Sequence, residues 1–262
     1  VPGCAGCQQF GRAVLSDNRM VAAIEEGFIP VVVYNNQPGK DAELLKLYKE
    51  PAWNYQVIRF LDAEGRDILP RKDRVWTLPA LAVRSQQALE KARAPVPAVL
   101  RGIVYEKSGI TLGEAVFSMH CFWTGEMKLG GVDGVVRTEA GFFDGREVTR
   151  VWFDLAEVSL QKLVDEANRI QCANRVYFTS AGDQRSIKAG KLVAGLFNPT
   201  RYRAAPAGDQ KKQLQGTKWE ELAVTEYQRT KLNAFCRSDV KRAAGFVTPP
   251  QLRGSWSGHE DL

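Results

Sequence analysis

The chain has 262 residues, 44% hydrophobic and 25% charged, which is enough apolar material for a buried core and, by length, for two domains. Thirty-six Lys and Arg are interspersed with 30 Asp and Glu, so the net charge of +6 comes from no basic block; Lys211-Lys212 and the Lys188/Lys191 pair are short. No nucleic-acid partner is expected from such a surface, and no apolar stretch is long enough to span a membrane.

The first hundred residues read as an α/β unit. Two thiols three apart, Cys4 and Cys7, open it and run straight into helical spacing over Gln8–Leu15 (Phe10, Val14) and Asn18–Glu26 (Val21, Ile24), with Ser16-Asp17 breaking or recapping between them. Phe28-Ile29-Pro30-Val31-Val32-Val33-Tyr34 has the β-branched composition of a central strand. Ala42–Tyr48 reads as a helix buried along Leu44, Leu45, Leu47 and Tyr48. Val57–Leu61 and Asp67–Leu69 flank Ala63-Glu64-Gly65-Arg66 as a hairpin. A helix over Leu78–Ala94 closes the unit, and Arg93–Pro97 reads as a linker.

A second unit starts near Ser108. Ala115–Met119 is a strand leading into His120-Cys121-Phe122-Trp123, then a short helix over Glu126–Gly130 and a strand opening at Val132–Val136. Val148–Phe153 alternates like a sheet with one solvent face. Ser159 can cap a helix carrying Leu160, Leu163, Val164 and Ala167 on one side. Val176–Phe178 is a further strand, and a helical stretch runs from Ala181 to Gly190. Beyond Pro199 the chain turns polar, with one helix from Val224 to Phe235 and a flexible or wrapping tail at Gly254–Gly258.

Five cysteines, Cys4, Cys7, Cys121, Cys172 and Cys236, are too few for a disulfide scaffold, and their odd number leaves one thiol over in a monomer. A CxxC at a helix start can close a small disulfide ring, and the helix N-terminus favours the thiolate of its first cysteine. The competing readings are a static disulfide or half of a zinc site. No second CxxC or HxxxH completes four ligands, so neither metal nor cofactor is expected.

The order of CxxC helix, strand, helix, hairpin and helix resembles a thioredoxin-like fold whose first strand lies upstream of Val1. Residues there are expected to have been processed away or truncated, which leaves a periplasmic or secreted setting open. One departure concerns the proline that thioredoxins place before the strand following the second helix. Gln56 stands there, and the nearest proline is Pro51.

Residues 112–187 resemble peptide-methionine sulfoxide reductases of the A type. The shared marks are Cys121-Phe122-Trp123 after a strand, Gly134-Val135-Val136-Arg137-Thr138, Gly141-Phe142, and Gly145-Arg146-Glu147 before a strand ending at Asp154. The resemblance implies that Cys121 is the nucleophile, Glu147 the acid, and Phe122 and Trp123 the wall for a substrate methyl group. Two tyrosines that the family uses to hold the sulfoxide are missing. Phe142-Phe143-Asp144 replaces the loop of one, and Cys172-Ala173 stands in place of the other. Nearly the whole chain is also similar to bacterial thioredoxin-like (seleno)proteins, through Val1-Pro2-Gly3-Cys4, Glu50-Pro51-Ala52-Trp53-Asn54, Arg59–Gly65, Gln228–Ala234 and Pro249-Pro250-Gln251. Selenocysteine at the first redox position of relatives implies that Cys4 is the attacking group.

The expectation is therefore an α/β (α+β) chain: a thioredoxin-like domain over 1–97, a sulfoxide-reductase-like domain over 108–198, and an extension over 199–262. Its expected activity is thiol-dependent reduction of an oxidised sulfur substrate, with Cys4, Cys7, Cys121, Glu147 and Cys172 catalytic and Phe122 and Trp123 binding substrate. Cys236 is the other candidate to resolve Cys121. The expected partner is a thiol or disulfide redox protein. Two alternatives stay open: a thiol–disulfide oxidoreductase whose second domain only binds a partner, and a metal-binding protein using Cys4, Cys7 and His120 or Cys121.

Overall fold

The computed structural model describes residues 4–51 and 57–252. The Val1-Pro2-Gly3 match, the 52–54 part of the second match, Gln56 and the 254–258 tail lie outside them. The chain is a mixed α/β protein that divides into two compact units. One covers 1–108 together with 248–262, and the other covers 109–247.

In the first unit, α1 (Ala5–Phe10) continues as a π-helical turn over Gly11–Leu15, burying Phe10 and Val14. Asp17 then caps α2 (Asn18–Gly27), its carboxylate accepting the amides of Arg19 and Met20 at 3.0 and 3.3 Å. Next come α3 (Lys40–Leu47), β1 (Val57–Ile58), β2 (Lys72–Asp73), α4 (Leu78–Lys91) and α5 (Ala98–Lys107). β1 and β2 pair antiparallel, and the turn expected at 63–66 closes where the Asp62 amide donates to Arg66 O. The Asp62 carboxylate takes two further amides of that turn. The core gathers α2, α4 and α5 around Met20, Leu81, Leu89, Leu100 and Ile103. A short α11 (Pro249–Leu252) returns to α2.

Three expectations fail here. Phe28–Tyr34 is not a strand: only Phe28 packs, against Phe60, while Ile29, Val31 and Val32 are 92%, 75% and 72% exposed. A strand needs a neighbour for its backbone. Among the described residues the segment's hydrogen bonds are those of its two ends, Phe28 N–H to Ile24 O, and Tyr34 with Gln37 and Asp41. Likewise α3 buries none of its residues, and Leu47 is exposed. The linker at 93–97 also proves to be a turn between two helices, because α5, unread in the sequence, buries Val99, Leu100, Ile103 and Val104 in the same core.

The second unit is a β-α-β-β-α-β arrangement: β3 (Gly113–Ser118), α6 (Phe122–Gly130), β4 (Val135–Phe143), β5 (Arg146–Phe153), α7 (Leu160–Arg169), β6 (Arg175–Phe178). Ser159 caps α7 as expected, its side chain accepting the Lys162 amide at 3.2 Å. After α8 (Ala181–Ser186), β7 (Val193–Leu196) adds to one edge and β8 (Tyr202–Ala204) to the other. The sheet order is β7-β6-β3-β5-β4-β8, antiparallel except for β6–β7. Phe117, Val151, Phe153, Leu129, Leu163 and Phe178 form the core beneath α6 and α7. Residues 199–247 are thus part of this unit rather than an extension: β8 completes the sheet, and α9 (Glu226–Phe235) and α10 (Val240–Ala244) pack with it. A Thr225/Gln228 capping box starts α9.

Candidate functional site

Each unit presents a cysteine at the N-cap of a helix. In the first, Cys4 holds extended backbone before α1, and its Sγ accepts the Cys7 amide at 3.2 Å. One of the helix's orphan amide protons is thereby satisfied by sulfur. Hydrogen bonds from the Cys7 side chain and amide hold Cys4 below the ordinary thiol range, while burial pushes Cys7 up. The two thiols are therefore unequal. Gly6 stands between them, and a Cβ there would lie 3.7 Å from the indole of Trp76. That ring meets Phe10 edge-on at 6.2 Å and stays 39% exposed. Sequence reasoning missed Trp76, because no spacing ties it to a motif seventy positions away.

In the second unit, Cys121 is the N-cap of α6, half-buried and extended in backbone, but its side chain makes no capping bond. Glu147 takes that role. Its Oε2 accepts the Phe122 amide at 2.9 Å, and its backbone oxygen accepts the Met119 amide at 3.3 Å. The β3–β5 ladder, with Ser118 opposite Val148, brings these residues from 25 positions apart to one helix end. Cys121 and the Glu147 carboxyl thus both stand at the start of α6. Phe122 is buried, edge-on to Trp123 at 5.9 Å and to Phe142 at 5.5 Å.

The helix is seated tightly. Gly125 lies so close to β5 that a Cβ would fall 2.2 Å from Thr149 Oγ1, a hydroxyl that donates to Phe122 O at 3.3 Å. Fully buried Glu126 accepts from Lys211 through its amide and its Nζ, both at 2.7 Å, and from Thr138 Oγ1 at 3.2 Å. At the far end Lys231 Nζ donates to the oxygens of Gly130 and Val132 at 2.9 and 2.7 Å, satisfying carbonyls that helix ends leave open. Both lysines come from the segment the sequence had set apart. Lys212 lies 5.0 Å over the Trp123 ring, whose buried Nε1 has no hydrogen-bond partner among the described residues.

Cys172 is buried in the sheet–helix core, and burial pushes its thiol up to about 11. It stands two residues before Asn174, whose amide donates to Ser118 O at 2.9 Å. Carrying the β3–β6 register onward from Ser118–Arg175 would set Cys121 opposite Cys172, but the ladder stops before them. Cys236 ends α9, where its thiol donates to Gln213 O at 3.2 Å and burial raises it. His120 is exposed. None of the cysteines forms a disulfide. A cavity of about 250 Å³ lies at the opposite end of α6 from Cys121, among Lys128, Val132, Glu166, Ile170 and Phe235.

Among the described residues no three His, Cys, Asp or Glu side chains are grouped to hold a metal ion, and no helix is long and apolar enough to cross a membrane. No protein-family model matches the chain, and no curated protein matches it either.

Proposed function

We propose that the chain is a thiol-dependent oxidoreductase that reduces methionine sulfoxide or a related oxidised sulfur, with a thioredoxin-like dithiol unit feeding a sulfoxide-reductase-like cysteine. The observation that carries this reading is the Glu147 carboxyl at the N-terminus of the helix that begins at Cys121. The Cys121 thiolate bonds to the sulfoxide sulfur while Glu147, as the acid, protonates its oxygen; the hydroxyl then passes to the Cys121 sulfur as the new S–S bond breaks, its electron pair staying with the thioether. The sulfoxide becomes a thioether and Cys121 a sulfenic acid. A second thiol, Cys172 in this reading, condenses with it, forming a disulfide and releasing water. The Cys4/Cys7 dithiol then reduces that disulfide by thiol exchange and is itself left as a disulfide, to be recycled by an external dithiol of a redox partner. Carrying the donor on the same chain raises its effective concentration to roughly millimolar.

The test is turnover of a methyl sulfoxide by the full chain with dithiothreitol. Cys121→Ser abolishes it, whereas Cys4→Ser retains it, since the small dithiol replaces the chain's own donor. Activity that survives Cys121→Ser sinks the reading. The unequal Cys4 and Cys7 thiols favour a second reading, thiol–disulfide exchange with the other unit serving only to bind a partner. Insulin-type disulfide reduction without sulfoxide turnover selects it.

A further inference from the structure

We infer that Trp76 is the surface on which a partner's chain lies when Cys4 attacks its disulfide, and that it selects partners carrying an apolar residue beside the reacting cysteine. This rests on the dithiol chemistry proposed for Cys4 and Cys7. The ring is held from both sides. Before it, Arg74 turns the chain through a left-handed conformation (φ 58°) and Val75 is buried in the core. After it, Thr77 caps α4 by accepting the Ala80 amide at 3.3 Å. Phe10, edge-on, supports one flank, and the first turn of α1 lies close enough that a Cβ at Gly6 would be in ordinary van der Waals contact with the indole at 3.7 Å.

So placed, the indole stays 39% exposed against the first turn of α1, at Gly6, two residues on from Cys4. A fixed aromatic ring left open to water offers a large apolar contact at little entropic cost, which is why tryptophan concentrates at recognition surfaces. The exposed residues of α1, Ala5, Gly6, Gln8 and Gln9, carry no charge, whereas Arg74, two residues before the ring, is exposed, so it is the α1 side of the ring that suits an uncharged, extended partner segment. In the exchange, Cys4 thiolate bonds to one partner sulfur, and the other leaves as a thiolate that takes up a proton. Cys7 then displaces the partner from Cys4, leaving the Cys4–Cys7 disulfide and a reduced partner. The mixed disulfide would therefore form at the N-cap of the helix whose first turn Trp76 touches at Gly6.

The experiment compares three disulfides reduced by the full chain: 2-hydroxyethyl disulfide, a peptide disulfide with Leu beside each cysteine, and the same peptide with Gly there. The wild type is expected to prefer the Leu peptide about tenfold in kcat/KM, chiefly through KM. Trp76→Ala removes that preference, and Trp76→Phe, which keeps the packing on Phe10, retains part of it. Hydroxyethyl disulfide turnover and alkylation of Cys4 stay unchanged in both. A Leu preference that persists in Trp76→Ala overturns the inference, as does an equal loss on all three substrates, which would assign the ring a purely structural role. A wild type that reduces none of the three removes the dithiol reading itself, and this inference with it.

Discussion

Cys4 and Cys121 occupy the same position, the N-cap of a helix, and are used differently. At Cys4 the sulfur itself takes the helix amide, so the field of the helix end favours the thiolate. At Cys121 the corresponding amide is taken by the Glu147 carboxylate, and the sulfur is left without a capping bond. One helix end thus gives its amide to the sulfur itself. The other gives its amide to a carboxyl group and leaves the N-cap sulfur uncapped, the arrangement on which the proposed sulfoxide chemistry rests. The difference teaches that an N-cap cysteine is informative only together with whatever else satisfies the first turn.

Alkylation rates sharpen the contrast most. At pH 7 Cys4 is expected to react first and Cys172 last, by a factor of about 10³ or more. A thiol near 11 is about 10⁻⁴ ionised at that pH, whereas Cys4 lies below the ordinary range. The Cys4 rate rises with pH through its lowered pKa and levels off before the buried thiols begin to react. Mass mapping of the reduced chain with iodoacetamide measures this, and equal labelling of Cys4 and Cys7 would break the asymmetry. Next in size, Glu147→Gln keeps an acceptor for the Phe122 amide and leaves Tm nearly unchanged. Turnover of a sulfoxide falls about 10²-fold, because an amide cannot donate the proton as an acid does.

How much of this was legible follows from distance along the chain. The Cys4 cap lies within a four-residue span, and the helices α1, α2 and α7 show their apolar spacing and caps locally. Cys121 and Glu147 are paired in the sequence only by the resemblance that their motifs carry; the chain shows no periodicity that would join them. Trp76 beside Gly6, and Lys211 on Glu126 across 85 positions, leave no periodic trace. The run Ile29–Val33 misled for another reason. Composition states what a residue prefers, and Val116 and Phe117 with similar chemistry are buried in β3 only because β5 and β6 flank it.

The seating of α6 gives the third test. Glu126→Ala strands the Lys211 ammonium in a buried site, and the second unit is expected to lose ~3 kcal/mol in urea unfolding. Replacing both, Glu126→Leu with Lys211→Met, recovers most of it. If the single change costs as little as a surface pair, the buried network does not hold the helix that carries Cys121.

The smallest effect addresses the two caps directly. Cys4→Ser supplies a hydroxyl oxygen where the sulfur accepted the Cys7 amide, and serine is among the preferred N-cap residues. Dithiol exchange is therefore lost without loss of stability. Cys4→Ala removes the acceptor, and the unfolding transition of the first unit should fall by a few degrees relative to Cys4→Ser. The same two substitutions at Cys121 should differ little, because Glu147 already holds the Phe122 amide and residue 121 contributes no capping bond. Four thermal melts settle the matter. A serine–alanine gap at Cys121 as large as that at Cys4 would mean that both helices rely on their N-cap side chain, and the distinction between the two sites would disappear.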